Sequence, residues 1–176
     1  MRFFKPRGYF DRARIKRLYK RAFPRSERKP FSIIMKMQKE GKSDVWYFED
    51  DSGFLGMATT INSTDTVLID YFAVADKRRG EGHGTEMLGA LLELYSPRGV
   101  FLEIEIPYED APDYEVRRRR REFYLRAGLL PMNTRAKLFG VDMELLGVDC
   151  TLDFDAYRDF YADNLGRWAA EHIKRI

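Results

Sequence analysis

The chain has 176 residues, enough for one domain that buries roughly 70% of the surface its unfolded form exposes. It is 44% apolar, and its 31 basic and 28 acidic residues leave a net charge of only +3, which argues against a nucleic-acid partner. It contains no run of eighteen apolar residues, no secretory signal pattern, and a single cysteine, Cys150, which cannot form an internal disulfide. We therefore expect a cytoplasmic protein that does not span a membrane, with Cys150 as a small buried or half-buried filler.

The first third of the chain predicts two helices followed by a hairpin. Asp11 is a candidate cap for a first helix that Pro24 ends, and the basic face of this helix is expected to be solvated. Pro30 opens a second helix that runs through Lys39. Residues 50–53, Asp-Asp-Ser-Gly, have the composition of a hairpin turn between two β-rich runs.

The rest of the chain predicts alternating strands and helices. A strand ends at Val74, and the following segments are a helix over 82–95, a strand over 100–106, a helix containing Tyr124, and strands near 132–140 and 143–148. Residues 153–176 predict one further amphipathic helix, capped by Asp153. This order predicts an α+β fold in three layers, with a mixed, mostly antiparallel central sheet flanked by helices. We assign residues 1–150 to one domain and 151–176 to a C-terminal helix, packed on that domain or at a homodimer interface.

Alternating glycines at Gly80, Gly82 and Gly84 stand where the strand ending at Val74 passes into a helix. Glycine lets the backbone approach a ligand closely, and the first turn of a helix offers unpaired N–H groups to an anion. The spacing excludes a P-loop, which needs a lysine, and fits a dinucleotide-binding G-x-G-x-x-G fingerprint poorly. The segment therefore predicts a phosphate-binding turn of another type.

Two segments resemble the GCN5-related N-acetyltransferase family, also called GNAT. Arg79, Gly82 and Gly84 match its R-x-x-G-x-G element, and residues 68–74 resemble its fourth strand. Residues 122–129 are similar to its F-Y-x-x-x-G-F helix. Two motifs in the family's order are more specific than either one alone, and the resemblance covers residues 9–147.

The resemblance implies acetyl-CoA as co-substrate, with no metal. The pyrophosphate would bind the loop from Arg79 to Thr85 through main-chain N–H groups, so the cofactor-binding residues there are Arg79, Gly80, Gly82, His83, Gly84 and Thr85. The main chain of Phe72 and Val74 would pair with the pantetheine arm like an added strand. His83 fills a variable motif position, and we interpret its side chain as packing or surface rather than catalytic.

The same resemblance implies direct transfer of acetyl to an amine. Tyr124 occupies the tyrosine of the family's F-Y pair, and a phenol can protonate the departing thiolate. Its alternative role is packing against Phe123. Asp70 and Glu103 are candidate bases for the amine. Glu103 and Glu105 share one face of an interior strand, so they either form an acidic pocket for a cation or are met by water or arginine.

A run of arginines over 117–121 is the second unusual feature of the sequence. Asp113 with Arg117 and Glu115 with Arg119 have the i, i+4 spacing of helical ion pairs. Five consecutive helical residues cover more than one turn, so at least one of these arginines must face the protein or its ligands. Arg117 stands where the family often has an asparagine that contacts pantetheine, which puts that contact in doubt.

The sequence leaves the acceptor undefined. The first helices and the last strands, where acceptor specificity resides in this family, carry no motif, although residues 23–28 would form part of the acceptor wall. A small molecule or peptide amine is the leading hypothesis. Acetylation of aminoacyl-tRNA by a toxin-like enzyme and a non-catalytic acetyl-CoA-binding regulatory domain are the two alternatives.

Overall fold

The computed structural model describes all 176 residues, in eight strands and six α-helices. In chain order these elements are β1 Arg2–Phe4, α1 Tyr9–Ala22, α2 Phe31–Lys39, β2 Ser43–Asp50, β3 Gly53–Asn62, β4 Thr66–Val74, α3 His83–Tyr95, β5 Gly99–Glu105, α4 Tyr114–Arg126, β6 Leu130–Leu138, β7 Val141–Val148, α5 Phe154–Leu165, α6 Arg167–Glu171 and β8 Ile173–Arg175. No helix is both long and apolar enough to cross a membrane.

The eight strands are hydrogen-bonded in the order β1-β2-β3-β4-β5-β7-β6-β8. Strands β4 and β5 pair in parallel, whereas β1–β2, β2–β3, β5–β7, β6–β7 and β6–β8 are antiparallel. A mixed, mostly antiparallel sheet with helices confirms the predicted fold class. The chain forms two compact units, one of residues 1–62 and 69–94 and the other of residues 63–68 and 95–176.

The core of the first unit lies between α1, α2 and the strands β2, β3 and β4. Ile15, Leu18 and Tyr19 of α1 recur at helical spacing and are buried. They pack with alternate strand residues that include Tyr47 and Tyr71, which are also buried. This packing fixes which face of β4 is turned towards α1.

The C-terminal residues of the second unit differ from the prediction of one helix over 153–176. Asp153 does cap α5, since its Oδ1 accepts the Ala156 N–H at 2.9 Å. The helix ends at Gly166, whose φ of 92° a residue with a Cβ rarely adopts, and the chain continues as α6 and then β8. Strand β8 pairs with β6 from Leu138 to Ala136. One glycine therefore converts the predicted single helix into a helix, a short helix and an edge strand.

The N-terminal end differs from the prediction in two details. Asp11 does not cap α1, which begins at Tyr9 after Gly8; the Asp11 carboxylate instead accepts the Arg7 N–H at 3.0 Å. Strand β1 was not predicted, because three residues are too few to show a period. Cys150 is half-buried as expected, and burial raises the pKa of its thiol to about 11.

Candidate active site

The glycine-rich loop connects β4 to α3 through a short turn at Asp76–Arg78. Gly80 and Gly82 have φ of 84° and 85°, and no other atom lies within 4 Å of the place where a Cβ would stand on either residue. The Gly82 carbonyl accepts the N–H groups of Thr85 and Glu86, which closes the first turn of α3. The N–H groups of His83 and Gly84 precede any intrahelical partner, so they are available to an anion. The open backbone has the features that the sequence predicted for a phosphate-binding turn.

Charged side chains surround this loop in an arrangement that the sequence did not predict. The Arg78 side chain is only 18% exposed and forms an ion pair with Asp50. Its Nε also lies 3.4 Å from Glu81. The hydrogen bond between Arg78 and Asp50 raises the pKa of the guanidinium and lowers that of the carboxyl. His83 Nε2 lies 3.0 Å from both Arg78 Nη2 and Glu81 Oε2, so its ring joins the same charged cluster.

The side chains of β4 alternate between its two faces. Tyr71 and Ala73 are buried against α1, whereas Asp70, Phe72 and Val74 are only partly buried and belong to the opposite face. The pairing of β4 with β5 covers Thr66, Val67 and Leu68. Residues 69–74 extend beyond this pairing, so the main chain of Phe72 and Val74 lies along the edge of β4 where the ladder with β5 has ended.

Asp70 forms an ion pair with Lys29, a residue that the sequence did not single out. Lys29 Nζ lies 2.6 Å from Asp70 Oδ1, and the side chains are only 26% and 10% exposed. The Lys29 ammonium also lies 5.4 Å from the centre of the Tyr71 ring. No sequence signal separates Lys29 from the other basic residues nearby, because its contact with Asp70 joins residues that are 41 positions apart.

The linker between α1 and α2 is held by two buried tyrosines, Tyr71 of β4 and Tyr19 of α1. The Tyr71 hydroxyl donates to the Glu27 carbonyl at 2.7 Å and accepts the Lys29 N–H at 3.1 Å. The Tyr19 hydroxyl donates to the Lys29 carbonyl at 3.0 Å. Burial raises the pKa of Tyr71, and the negative charge of Asp70 raises it further, so this hydroxyl remains a donor. The wall predicted from residues 23–28 is therefore attached to the strand that carries Asp70.

Tyr124 lies in α4 of the second unit and is 9% exposed. Its ring packs edge-on against Phe123 with the ring centres 5.1 Å apart. Burial raises the pKa of Tyr124 to about 12, and its hydroxyl forms no hydrogen bond with another group of the protein. A buried phenol that stays protonated and has no protein partner can donate its proton to a ligand.

The two candidate glutamates of β5, also in the second unit, have different partners. Glu105 forms ion pairs with Arg117 at 3.1 Å and Arg120 at 3.2 Å, as the arginine alternative predicted. Glu103 Oε1 instead accepts the hydroxyls of Tyr157 and Tyr161 of α5, both at 2.7 Å. Glu103 thus accepts from two hydroxyl donors, whereas Glu105 pairs with arginines. The sequence did not single out either tyrosine, because residues 153–176 showed only the pattern of an amphipathic helix.

The arginine run forms local and long-range ion pairs. Arg117 pairs with Asp113 at 2.8 Å as predicted, whereas Glu115 pairs with Arg118 rather than with Arg119. The i, i+3 spacing of Glu115 and Arg118 is equally close on a helix, which explains the difference. Three of the five arginines face the body of the second unit; these are Arg117 and Arg120 through Glu105, and Arg121 through Glu144.

The model of the GNAT acetyltransferase family matches residues 12–128, which is two thirds of the chain. The chain belongs to the GNAT acetyltransferase family. This match includes the glycine-rich loop, Asp70, Glu103 and Tyr124, so every predicted site residue lies within the family domain. No curated protein sequence matches this GNAT protein.

Solved structures of GNAT proteins share this fold. A GNAT-family protein from Bacteroides thetaiotaomicron is 20% identical with a TM-score of 0.77, covering 95% of this chain and 99% of its own. A spermidine N-acetyltransferase mutant from Vibrio cholerae is 11% identical with a TM-score of 0.65, covering 84% and 94%. A GNAT acetyltransferase from Elizabethkingia anophelis with acetyl-CoA bound is 13% identical with a TM-score of 0.52, covering 66% and 82%. At these identities the likeness concerns the fold alone.

Proposed function

We propose that this GNAT protein is an acetyl-CoA-dependent N-acetyltransferase that transfers acetyl directly to a primary amine of a small molecule or peptide. The observation that carries the proposal is the open glycine loop, where Gly80 and Gly82 at positive φ leave space before the first turn of α3. The residues that would hold the pyrophosphate are Arg79, Gly80, Gly82, His83, Gly84 and Thr85. Their main-chain N–H groups and the helix dipole supply the attraction.

The pantetheine arm would pair with the main chain of Phe72 and Val74. Residues 69–74 extend beyond the pairing with β5, so an extended ligand can add to β4 at that edge. The loop follows the C-terminal end of β4, so the phosphates lie at that end and the thioester lies back along the strand. This direction leads from Val74 towards Asp70.

Proton transfer is assigned to three side chains. Tyr124 protonates the departing thiolate, because a phenol with a pKa of about 12 remains protonated at neutral pH whereas a thiol has a pKa of about 8.5. Asp70 or Glu103 accepts the proton of the acceptor ammonium. Asp70 is held by Lys29, and Glu103 by two tyrosine hydroxyls, so both carboxylates are oriented before an acceptor arrives.

The test is a thiol-release screen of the purified chain with acetyl-CoA over polyamines, aminoglycosides, amino acids and peptides. We expect CoA release with one class of primary amine, and mass spectrometry should find the acetyl group on its nitrogen. Binding of acetyl-CoA without transfer to any of these amines would favour the non-catalytic alternative. Transfer to aminoacyl-tRNA alone would favour the toxin-like one.

A further inference from the structure

The Lys29 side chain connects the two faces of β4. Its main-chain N–H meets Tyr71, which faces α1, and its ammonium meets Asp70, which belongs to the opposite face. Consecutive strand residues point to opposite faces, so the side chain must pass an edge of the strand. Strand β3 occupies one edge of β4. The Lys29 side chain therefore runs along the other edge, where pairing with β5 has ended at Leu68.

This is the same edge that the proposed function assigns to the pantetheine arm. The thioester lies back along the strand from Phe72, and Asp70 is two residues further in that direction. At about 3.3 Å per residue, that separation is on the order of 7 Å along the strand. The Lys29 ammonium therefore lies within one side chain's reach of the expected thioester, and a carboxylate that can accept its proton already contacts it.

We propose that Lys29 is an internal acetyl acceptor and that the chain acetylates itself there. The proposal rests on the function proposed above. Lys29 is a primary amine, as an acceptor is, and its linker is held to β4 by the Tyr71 hydroxyl and to α1 by the Tyr19 hydroxyl. The amine is thus presented to the strand edge by a rigid segment, which raises its effective concentration at the thioester.

Asp70, Lys29 and acetyl-CoA supply every group that the reaction needs. The Lys29 ammonium gives one proton to Asp70, and the free amine attacks the thioester carbonyl of acetyl-CoA. The N–C bond forms and the C–S bond breaks, the second amine proton ends on the CoA thiolate, and Asp70 returns its proton to solvent. The product amide carries no charge, so its ion pair with Asp70 is lost. Acetylation would thus leave Asp70 without its lysine partner and change how the site receives a cationic acceptor.

The test is incubation of the full chain with acetyl-CoA and no added amine, followed by cleavage after glutamate and mass spectrometry. Cleavage after Glu27 and Glu40 gives one peptide, residues 28–40, that holds Lys29 together with Lys36 and Lys39 as internal controls. We expect one acetyl group per chain on Lys29, one equivalent of released CoA, and at least about tenfold preference over the two control lysines.

Variants separate catalysed from chemical modification. Lys29→Arg keeps a cation beside Asp70 but cannot be acetylated in the same way, so stoichiometric CoA release should disappear. Asp70→Asn should slow modification of Lys29 by about 100-fold, the usual effect of losing a general base. In the denatured chain, Lys29 should react no faster than Lys36.

Three results would overturn the proposal. In the first, acetylation follows solvent exposure, and Lys36, whose side chain is 74% exposed, is modified before Lys29. The ion pair of Lys29 with Asp70 would then have only a structural role. Transfer to an added amine while Lys29 stays unmodified would reject self-acetylation and leave the proposed function standing. Failure to bind acetyl-CoA at all would reject both.

Discussion

Replacing Tyr124 with phenylalanine removes one hydroxyl and nearly nothing else. The hydroxyl has no hydrogen-bond partner in the protein, and the ring contact with Phe123 remains, so we expect the free energy of unfolding to change by less than about 1 kcal/mol. A general acid contributes about 100- to 10,000-fold, and a thiolate is a good leaving group. We therefore expect Tyr124→Phe to lower kcat by about 100-fold, near the lower end of that range.

The assay is steady-state CoA release with the acceptor identified by the screen, together with calorimetry of acetyl-CoA binding. Affinity for acetyl-CoA should stay within about threefold, because the hydroxyl acts only as the thiolate departs. Tyr108→Phe is the matched control, since it removes an exposed hydroxyl that contacts Asp142. Burial raises the pKa of Tyr124 to about 12, so the acid form persists and wild-type kcat should show no Tyr124-dependent loss below about pH 10. A kcat for Tyr124→Phe within about threefold of wild type would refute the acid assignment.

Three further predictions concern the loop, the arginine run and the cysteine. Glu81→Gln removes a carboxylate beside the glycine-rich loop, so the affinity for acetyl-CoA should rise by about two- to fivefold at low salt. In 1 M salt the difference should vanish, because the charges are screened. An unchanged Kd at low salt would show that the Glu81 charge does not act on the phosphates. Arg121→Met leaves the buried Glu144 without its partner and should cost about 1–2 kcal/mol in denaturant unfolding, a modest value because Arg121 is one third exposed. Adding Glu144→Leu should recover most of that loss, and equal destabilisation by the double variant would contradict the pairing argument. The pKa of the Cys150 thiol is raised from 9.0 to about 11, so the folded chain has about 100-fold less thiolate at pH 8. Iodoacetamide should therefore react about 100-fold more slowly with the folded than with the unfolded chain. Equal rates would show that the thiol is not desolvated.

The sequence predicted the elements that carry a strong periodic or turn signal. The alternation of Asp70, Tyr71 and Phe72 and the glycine loop could be inferred because each follows from local spacing and backbone conformation. Gly166 illustrates the limit of this reasoning. The apolar spacing continues past it, and only the positive φ of the folded chain shows that the helix ends there.

Apart from Glu103, the predicted site residues lay in or beside the family motifs, whereas the partners of Asp70 and Glu103 did not. Lys29 meets Asp70, and Tyr157 meets Glu103, across 41 and 54 positions of the chain. Contacts at such separation depend on how strands and helices pack, and no periodicity in the sequence encodes them. The ion pair of Arg78 could not be inferred for the same reason, because its partner Asp50 lies 28 positions away at the end of β2.

Calorimetric titration of acetyl-CoA into the wild-type chain and into Gly82→Asp measures whether the glycine-rich loop binds the phosphates of the cofactor. We predict one site per chain with a Kd of about 1–100 μM for the wild type. Gly82→Asp places a carboxylate and a Cβ at a residue whose φ is 85°, so binding should weaken by at least about tenfold. Gly140→Asp is the control, since Gly140 also has positive φ and open space, but lies in the turn between β6 and β7. Absence of wild-type binding, or equal affinity in Gly82→Asp, would contradict a phosphate-binding role for the loop.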